Sequence, residues 1–199
     1  AIDDLSAMAD ICEQQQLWFH VDAAFGAALA LLEEYAGEFA AVSRADSVGF
    51  DFHKWFQVPY AVGGVLVRDA ETHRRTFSEP VEYLETQPLG LEAGAPWPCD
   101  LGPELSRGFL ALKVWFTFQG VGLDAMAASV RKHCRLAREL EDAVTAAADM
   151  EPLAPVSSNI VCLRYRPFRE SAIAGDSEHY LNALNRAIVT QLQLQGVSA

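Results

Sequence analysis

The sequence predicts an α/β fold, and three observations predict it. Apolar residues at helical spacing near the start give way to a short apolar run that ends in Asp22. A second apolar run ends in Asp51 and leads at once to Lys54. A third, Gly63 to Arg68, follows the turn-like Val58-Pro59-Tyr60. Helix, then strand, then a polar residue at the strand end is the repeating unit of an open sheet whose ligands sit at strand carboxyl ends.

Asp3 or Asp4 is suited to cap a first helix with Leu5, Met8 and Cys12 on its apolar face, ending before Gln14 to Gln16. Leu17 to Val21 reads as a buried strand, Asp46 to Phe50 as a second and Gly63 to Arg68 as a third, so that three strand ends are expected to converge on one polar region. From Phe77 to Gly102 periodicity dissolves into a loop with Pro80, Pro88, Gly90, Gly94, Pro96 and Pro98, long enough to be read as either functional or disordered. Ser106 is placed to cap a helix containing Phe109, Leu112, Val114, Trp115, Phe116 and Phe118, stopped by Gly120 and, with so many aromatics, expected to be buried. Asp124 starts a longer amphipathic helix to about Ala148, with Met126, Val130, Cys134, Ala137, Leu140 and Val144 on one face. Asn159 to Tyr165 reads as a strand and Ser177 to Gln195 as a final helix closed by Gly196. The expected domains are residues 1–120, a large α/β domain; 121–150, a bridging helix; and 151–199, the opening of a small α+β domain that one strand and one helix cannot complete.

Composition narrows the function. The 199 residues are 51% hydrophobic and 21% charged, within the ordinary globular range. A net charge of −12 with no basic run repels nucleic-acid phosphates and anionic lipid, so a small-molecule partner is expected. The most apolar stretch, Ala23 to Leu32, is ten residues long and falls short of the roughly 20 that a spanning helix needs. Cys12, Cys99, Cys134 and Cys162 form no framework, as expected of reduced thiols in a cytoplasmic protein. The chain opens without Met or a signal peptide and is expected to be an internal piece of something longer.

The chemistry concentrates in His20-Val21-Asp22-Ala23-Ala24 and Asp51-Phe52-His53-Lys54, each at a strand end. A strand-end lysine with a carboxylate on a nearby strand end is what a pyridoxal enzyme requires, the amine to form a Schiff base and the Asp to keep the pyridine nitrogen protonated. Taken alone, such a pair is more often a surface lysine and a cap or turn aspartate. Alternation along a strand also allows His20, Asp22, Asp51 and His53 to be the four ligands of a metal-dependent hydrolase.

The flanking residues distinguish these readings. His20 to Ala24, Ala45-Asp46-Ser47 and His53-Lys54-Trp55, in this order and separation, resemble the group II pyridoxal-dependent decarboxylases, which include aromatic-amino-acid, glutamate and histidine decarboxylases. Gly64 to Arg68, Ser106-Arg107, Ala111 to Trp115 and Asn159 to Arg164 extend the resemblance over nearly the whole chain. It implies a fold-type I pyridoxal-phosphate fold, a pyridoxal 5'-phosphate cofactor, decarboxylation of an L-amino acid and a homodimer with shared active sites. It also implies roles: Lys54 as the Schiff-base lysine, Asp22 on the pyridinium nitrogen, Ala24 against one ring face, His53 as a catalytic residue close to the cofactor phosphate or substrate, His20 lining the same pocket, and Asp51 as a second-tier cofactor-site residue. In the aromatic branch the position of Asp51 is commonly Asn, and an ionised Asp would repel a phosphate unless only its backbone faced it.

Family members carry a loop Tyr ahead of the Ser-Arg segment that protonates the intermediate. Here Trp97 occupies that loop, no Tyr lies between Leu84 and Glu104, and Tyr83 stands at its start. The departure opens two alternatives, an oxidative deaminase or aldehyde synthase and an inactive family member. Because upstream residues supply the other ring face and most phosphate contacts in this family, the isolated chain is expected to be inactive.

Overall fold

In the computed structural model the described residues are 2–78, 89–90, 93–94, 96–167 and 177–197. They fall into two compact units, residues 3–130 and the residues from 131 onward.

The first unit begins with α1 (Leu5–Gln15), capped by Asp4, whose carboxylate accepts from the Ala7 N–H at 3.0 Å. Gln16 ends it in the left-handed region, φ 54°. The buried side of α1 is Ala9, with Leu5 and Cys12 packed beside it. Met8, expected on that face, is exposed, because positions 5, 9 and 12 share the stripe and 8 lies to one side.

Strand β1 (His20–Asp22) is shorter than expected. Leu17 is still tied to the helix end through its N–H to the Cys12 carbonyl, 2.8 Å, and Trp18 is exposed. After three 3₁₀ segments and the short α2 (Ala36–Phe39), β2 (Ser47–Asp51) runs parallel to β1, pairing His20 with Ser47 and Asp22 with Gly49. Strand β3 (Gly63–Val67) is antiparallel to β2, with Asp51 opposite Gly63 and Ser47 opposite Val67. Three strand ends meet, as expected, but only those of β1 and β2 are carboxyl ends; β3 contributes its beginning. Residues 52–62 are too short for the helical crossover that a parallel third strand demands.

Alternation gives the sheet two different faces. Val21, Ala23, Val48 and Phe50 point into a core with Ala9, Phe19 and Ala45. His20, Asp22, Ser47, Gly49 and Asp51 share the other face. The sheet is fastened at the opposite end by Asp46, whose carboxylate accepts from the Phe19 N–H at 2.8 Å. Arg68 assists there, donating to the Ala45 carbonyl at 2.7 Å and to that of Ser43.

A polar helix that periodicity does not reveal, α3 (Ala70–Phe77), is capped by Asp69, which accepts from the Thr72 N–H at 2.6 Å. Tyr83 and most of the Pro-rich segment lie outside the described residues. Helix α4 (Leu110–Val121) corrects three expectations. Phe109, not Ser106, takes the N-cap position; the helix passes Gly120 and stops at Gly122, φ 81°; and none of its residues is buried. Trp115 is 56% and Phe116 61% exposed. Phe118, half-buried, sits 5.9 Å from the Phe52 ring.

Helix α5 (Leu123–Ala146) buries Met126, Val130, Cys134, Ala137 and Val144, as its pattern predicts, but leaves Leu140 exposed. In the second unit β4 (Met150–Pro152) pairs antiparallel with β5 (Leu163–Tyr165), so the expected strand over 159–165 is three residues long and has a neighbour. Helix α6 (Ser177–Leu194) lies against β5. Asn185 accepts from the Tyr165 N–H at 2.8 Å and returns a bond to the Tyr165 carbonyl at 2.9 Å, acting as a side-chain substitute for a further strand.

Candidate active site

The polar face of the sheet ends where β1 and β2 stop. Asp22 closes β1, and its Oδ1 accepts from the Ala24 N–H at 2.9 Å, a local turn that leaves Oδ2 without a partner among the described residues. The Ala24 carbonyl takes the Asp51 N–H at 3.2 Å, so the two strand ends are pinned together. Beyond them Trp55 is buried and stacks on Phe25 with ring centroids 5.0 Å apart. Lys54 is thereby held between two anchored positions, Asp51 and Trp55.

Lys54 Nζ lies 2.8 Å from Asp51 Oδ2. That hydrogen bond raises the lysine above its ordinary pKa and lowers the Asp51 carboxyl, and the charge of Asp22 adds to the attraction on Lys54. The other oxygen, Asp51 Oδ1, faces the start of β3. A Cβ at Gly63 would come within 3.0 Å of it, so a glycine there lets β3 begin beside the carboxylate.

His53 turns to the backbone of Val62. Its Nδ1 is 2.8 Å from the carbonyl and 3.1 Å from the N–H, one nitrogen serving one of the two according to its tautomer. Its ring meets Tyr60 edge-on at 4.5 Å. His20, lower on the same face, engages Ser47 through Nδ1 at 2.7 Å. Ser47 Oγ also accepts from Trp18 Nε1 at 2.8 Å. Because indole can only donate, the Ser47 hydroxyl hydrogen remains available, and Ser47 donates to His20 Nδ1 or accepts from it according to the tautomer of the ring. The His20 ring lies over Gly49, where a Cβ would touch it at 3.5 Å.

The structure brings Asp22, Ala24, Asp51 and Lys54 to one strand-end cluster and sets His53 beside it. His20 stands two residues down β1, in a separate cluster with Ser47 and Trp18. The metal-hydrolase reading is corrected: His20 and His53 bind different partners, and among the described residues no three His, Cys, Asp or Glu side chains gather as a metal site. Residue spacing did not reveal the parts played by Ser47, Trp18, Tyr60 and Gly63. Ser47 lay within the motif, but its role depends on the register that places it beside His20.

A parallel strand pair flanked by an antiparallel strand thus carries a lysine just beyond one strand end and an aspartate closing the next. The chain belongs to the pyridoxal-dependent decarboxylases: the model of that family's conserved domain matches residues 1–166. It is 34% identical over 196 residues to an aromatic-L-amino-acid decarboxylase of Bacillus atrophaeus, covering 98% of this chain and 40% of that protein. It is 33% identical over 168 residues to a 3,4-dihydroxyphenylacetaldehyde synthase of Drosophila melanogaster, covering 82% and 32%. The crystal structure of Oryza sativa TDC with PLP and tryptamine superposes with a TM-score of 0.88 at 25% identity, over 98% of this chain and 39% of that one. The chain thus spans well under half the length of these relatives.

Proposed function

We propose that the protein is a pyridoxal-phosphate-dependent decarboxylase of an L-amino acid, with Lys54 as the lysine that binds the cofactor covalently and Asp22 as the carboxylate facing its ring nitrogen. The observation that carries this reading is the placement of a primary amine and an acidic residue at adjacent parallel strand ends in a chain of this family.

The residues fit the cofactor. Lys54 is 42% exposed at its side chain, accessible to an incoming aldehyde. Asp22 presents an unpartnered Oδ2 among the described residues, able to hold a proton on a pyridine nitrogen. Ala24 is small enough to lie flat beneath a ring, and His53 stands next to the lysine with its orientation set by Val62. When bound, the cofactor supplies the sink for the electron pair left as CO2 departs. Asp22 keeps that sink electron-poor by stabilising the protonated ring nitrogen. His53 lines the substrate side, and His20, fixed by Ser47, lines the base of the same face. Residues 1–120 form the C-terminal part of the cofactor-binding large domain, 121–150 a bridging helix and 151–199 the start of the small domain. The active unit is a homodimer with shared sites.

One observation favours a second reading. No Tyr lies between Leu84 and Glu104, and the relatives include aldehyde synthases as well as decarboxylases. Product analysis on the full-length protein with a panel of L-amino acids separates the two. Amine and CO2 in equal amounts support decarboxylation; aldehyde in place of amine moves the assignment to the synthase; neither product from any amino acid overturns both.

A further inference from the structure

The mechanism above leaves Asp51 without a task, and an ionised carboxylate near a phosphate needs one. We propose that Asp51 is a positioning residue that holds Lys54 as a paired ammonium in the cofactor-free protein, so that covalent capture of an aldehyde at Nζ begins by breaking this pair. The part concerning the cofactor rests on Lys54 being the cofactor lysine; the ion pair itself does not.

The geometry assigns the two partners unequal parts. Asp51 is the anchor: it is the last residue of β2, its N–H is bonded to the Ala24 carbonyl, and its Oδ1 is packed against Gly63. Lys54 is the more exposed member, its side chain 42% exposed against 23% for Asp51. The groups facing the ammonium are Asp51 on β2, Asp22 at the end of β1 and Tyr60 in the connection to β3, all of which favour the charged form. His53 faces Asp51 with Nδ1 4.0 Å from Oδ1 and competes for the carboxylate only when protonated.

An ammonium has no lone pair and cannot attack a carbonyl. Capture therefore requires that Lys54 first release one proton. The carboxylate is held on the acidic side of its usual range by the same pair and is a poor acceptor, so the proton goes to solvent. The neutral nitrogen then bonds to the aldehyde carbon, and the carbonyl oxygen leaves as water with the two remaining nitrogen protons. Asp51 thus keeps Nζ at the strand end while slowing its reaction, and substitution by Asn should retain the position and lift the restraint.

The test is competitive labelling of the cofactor-free full-length protein with acetic anhydride across a pH series, scored by peptide mass at Lys54 against Lys132 as internal reference. In the wild type, Lys54 should become reactive at higher pH than Lys132. In Asp51→Asn, labelling of Lys54 at neutral pH should rise about twofold to fivefold, the range an exposed ion pair supports. Asp51→Glu, which keeps the carboxylate, should stay nearer the wild type. Identical Lys54 profiles in wild type and Asp51→Asn overturn the proposal. If Asp51→Asn does not fold, a wild-type Lys54 profile no higher than that of Lys132 overturns it instead. Rebinding of pyridoxal phosphate should accelerate in step with the labelling. A labelling change with the cofactor attached to another lysine would uphold the ion pair and remove the cofactor reading.

Discussion

The strand-end pair of the first unit and the ionic cluster of the second are built from similar charges and made for different ends. Lys54 meets one carboxylate, and its side chain is 42% exposed. Arg164 is 15% exposed and meets two, Glu151 and Glu178, the latter at 2.6 Å, while Arg166 takes the other oxygen of Glu151 at 2.8 Å. A guanidinium stays charged at every relevant pH and spreads its donors over several acceptors, so it ties the β4–β5 hairpin to the start of α6. An ammonium on a flexible stem can lose its proton and react. One cluster is fixed by multiplicity; the other is held by a single contact that chemistry can undo.

Substitutions should separate the two regions, the largest effect first. Lys54→Ala should bring activity to background while moving the melting temperature by no more than about 2 °C, the scale of an exposed substitution. Asp22→Asn should lower kcat by roughly 100-fold or more with a similarly small thermal effect, measured by initial rates on the cofactor-saturated protein. Arg164→Ala should show the converse, a loss of about 1–2 kcal/mol in denaturant unfolding, because Glu151 is left half-buried with one cation fewer, and an unchanged rate per folded molecule. Glu178→Gln should barely alter the melting temperature, since Glu178 is 66% exposed and Arg164 keeps Glu151. A large thermal effect from Lys54→Ala, or a large kinetic effect from Arg164→Ala, would break the distinction.

Acid should reveal the same contrast. Arg166 and Arg164 hold the Glu151 carboxyl below its usual range. A depressed carboxyl contributes stability that is complete above its unfolded value, about pH 4.3, and is lost as pH falls through the lower folded value. Melting curves of the wild type should therefore decline in that window, and those of Glu151→Gln should decline less.

Much of this was legible in the sequence, and the exceptions share a cause. The Asp4 cap, the starts of β2 and β3 to within a residue, the buried stripe of α5 and the end of α6 near Gly196 all follow from local pattern. So does the clustering of Asp22, Ala24, Asp51 and Lys54, because each lies within two residues of a strand end or three of its neighbour. The direction of β3 depended on how short a connection can cross over, and the burial of α4 on what lies against Trp115 and Phe116, which composition does not specify. Helix α3 and strand β4 do not show in the pattern because Ala70–Phe77 is short, mostly polar and without a buried stripe, and Met150–Pro152 is too short to show a period. The Lys54–Asp51 pair lay three residues apart in plain sight, but a turn, not a helix, brings the two together.

The central claim is that Lys54 is the cofactor lysine. The full-length protein should be saturated with pyridoxal phosphate, reduced with borohydride, digested and mapped by mass. The account predicts a pyridoxyl adduct on Lys54 in the wild type and none at that peptide in Lys54→Ala. An adduct on Lys113 or Lys132 alone, or no adduct on the saturated protein, would contradict it.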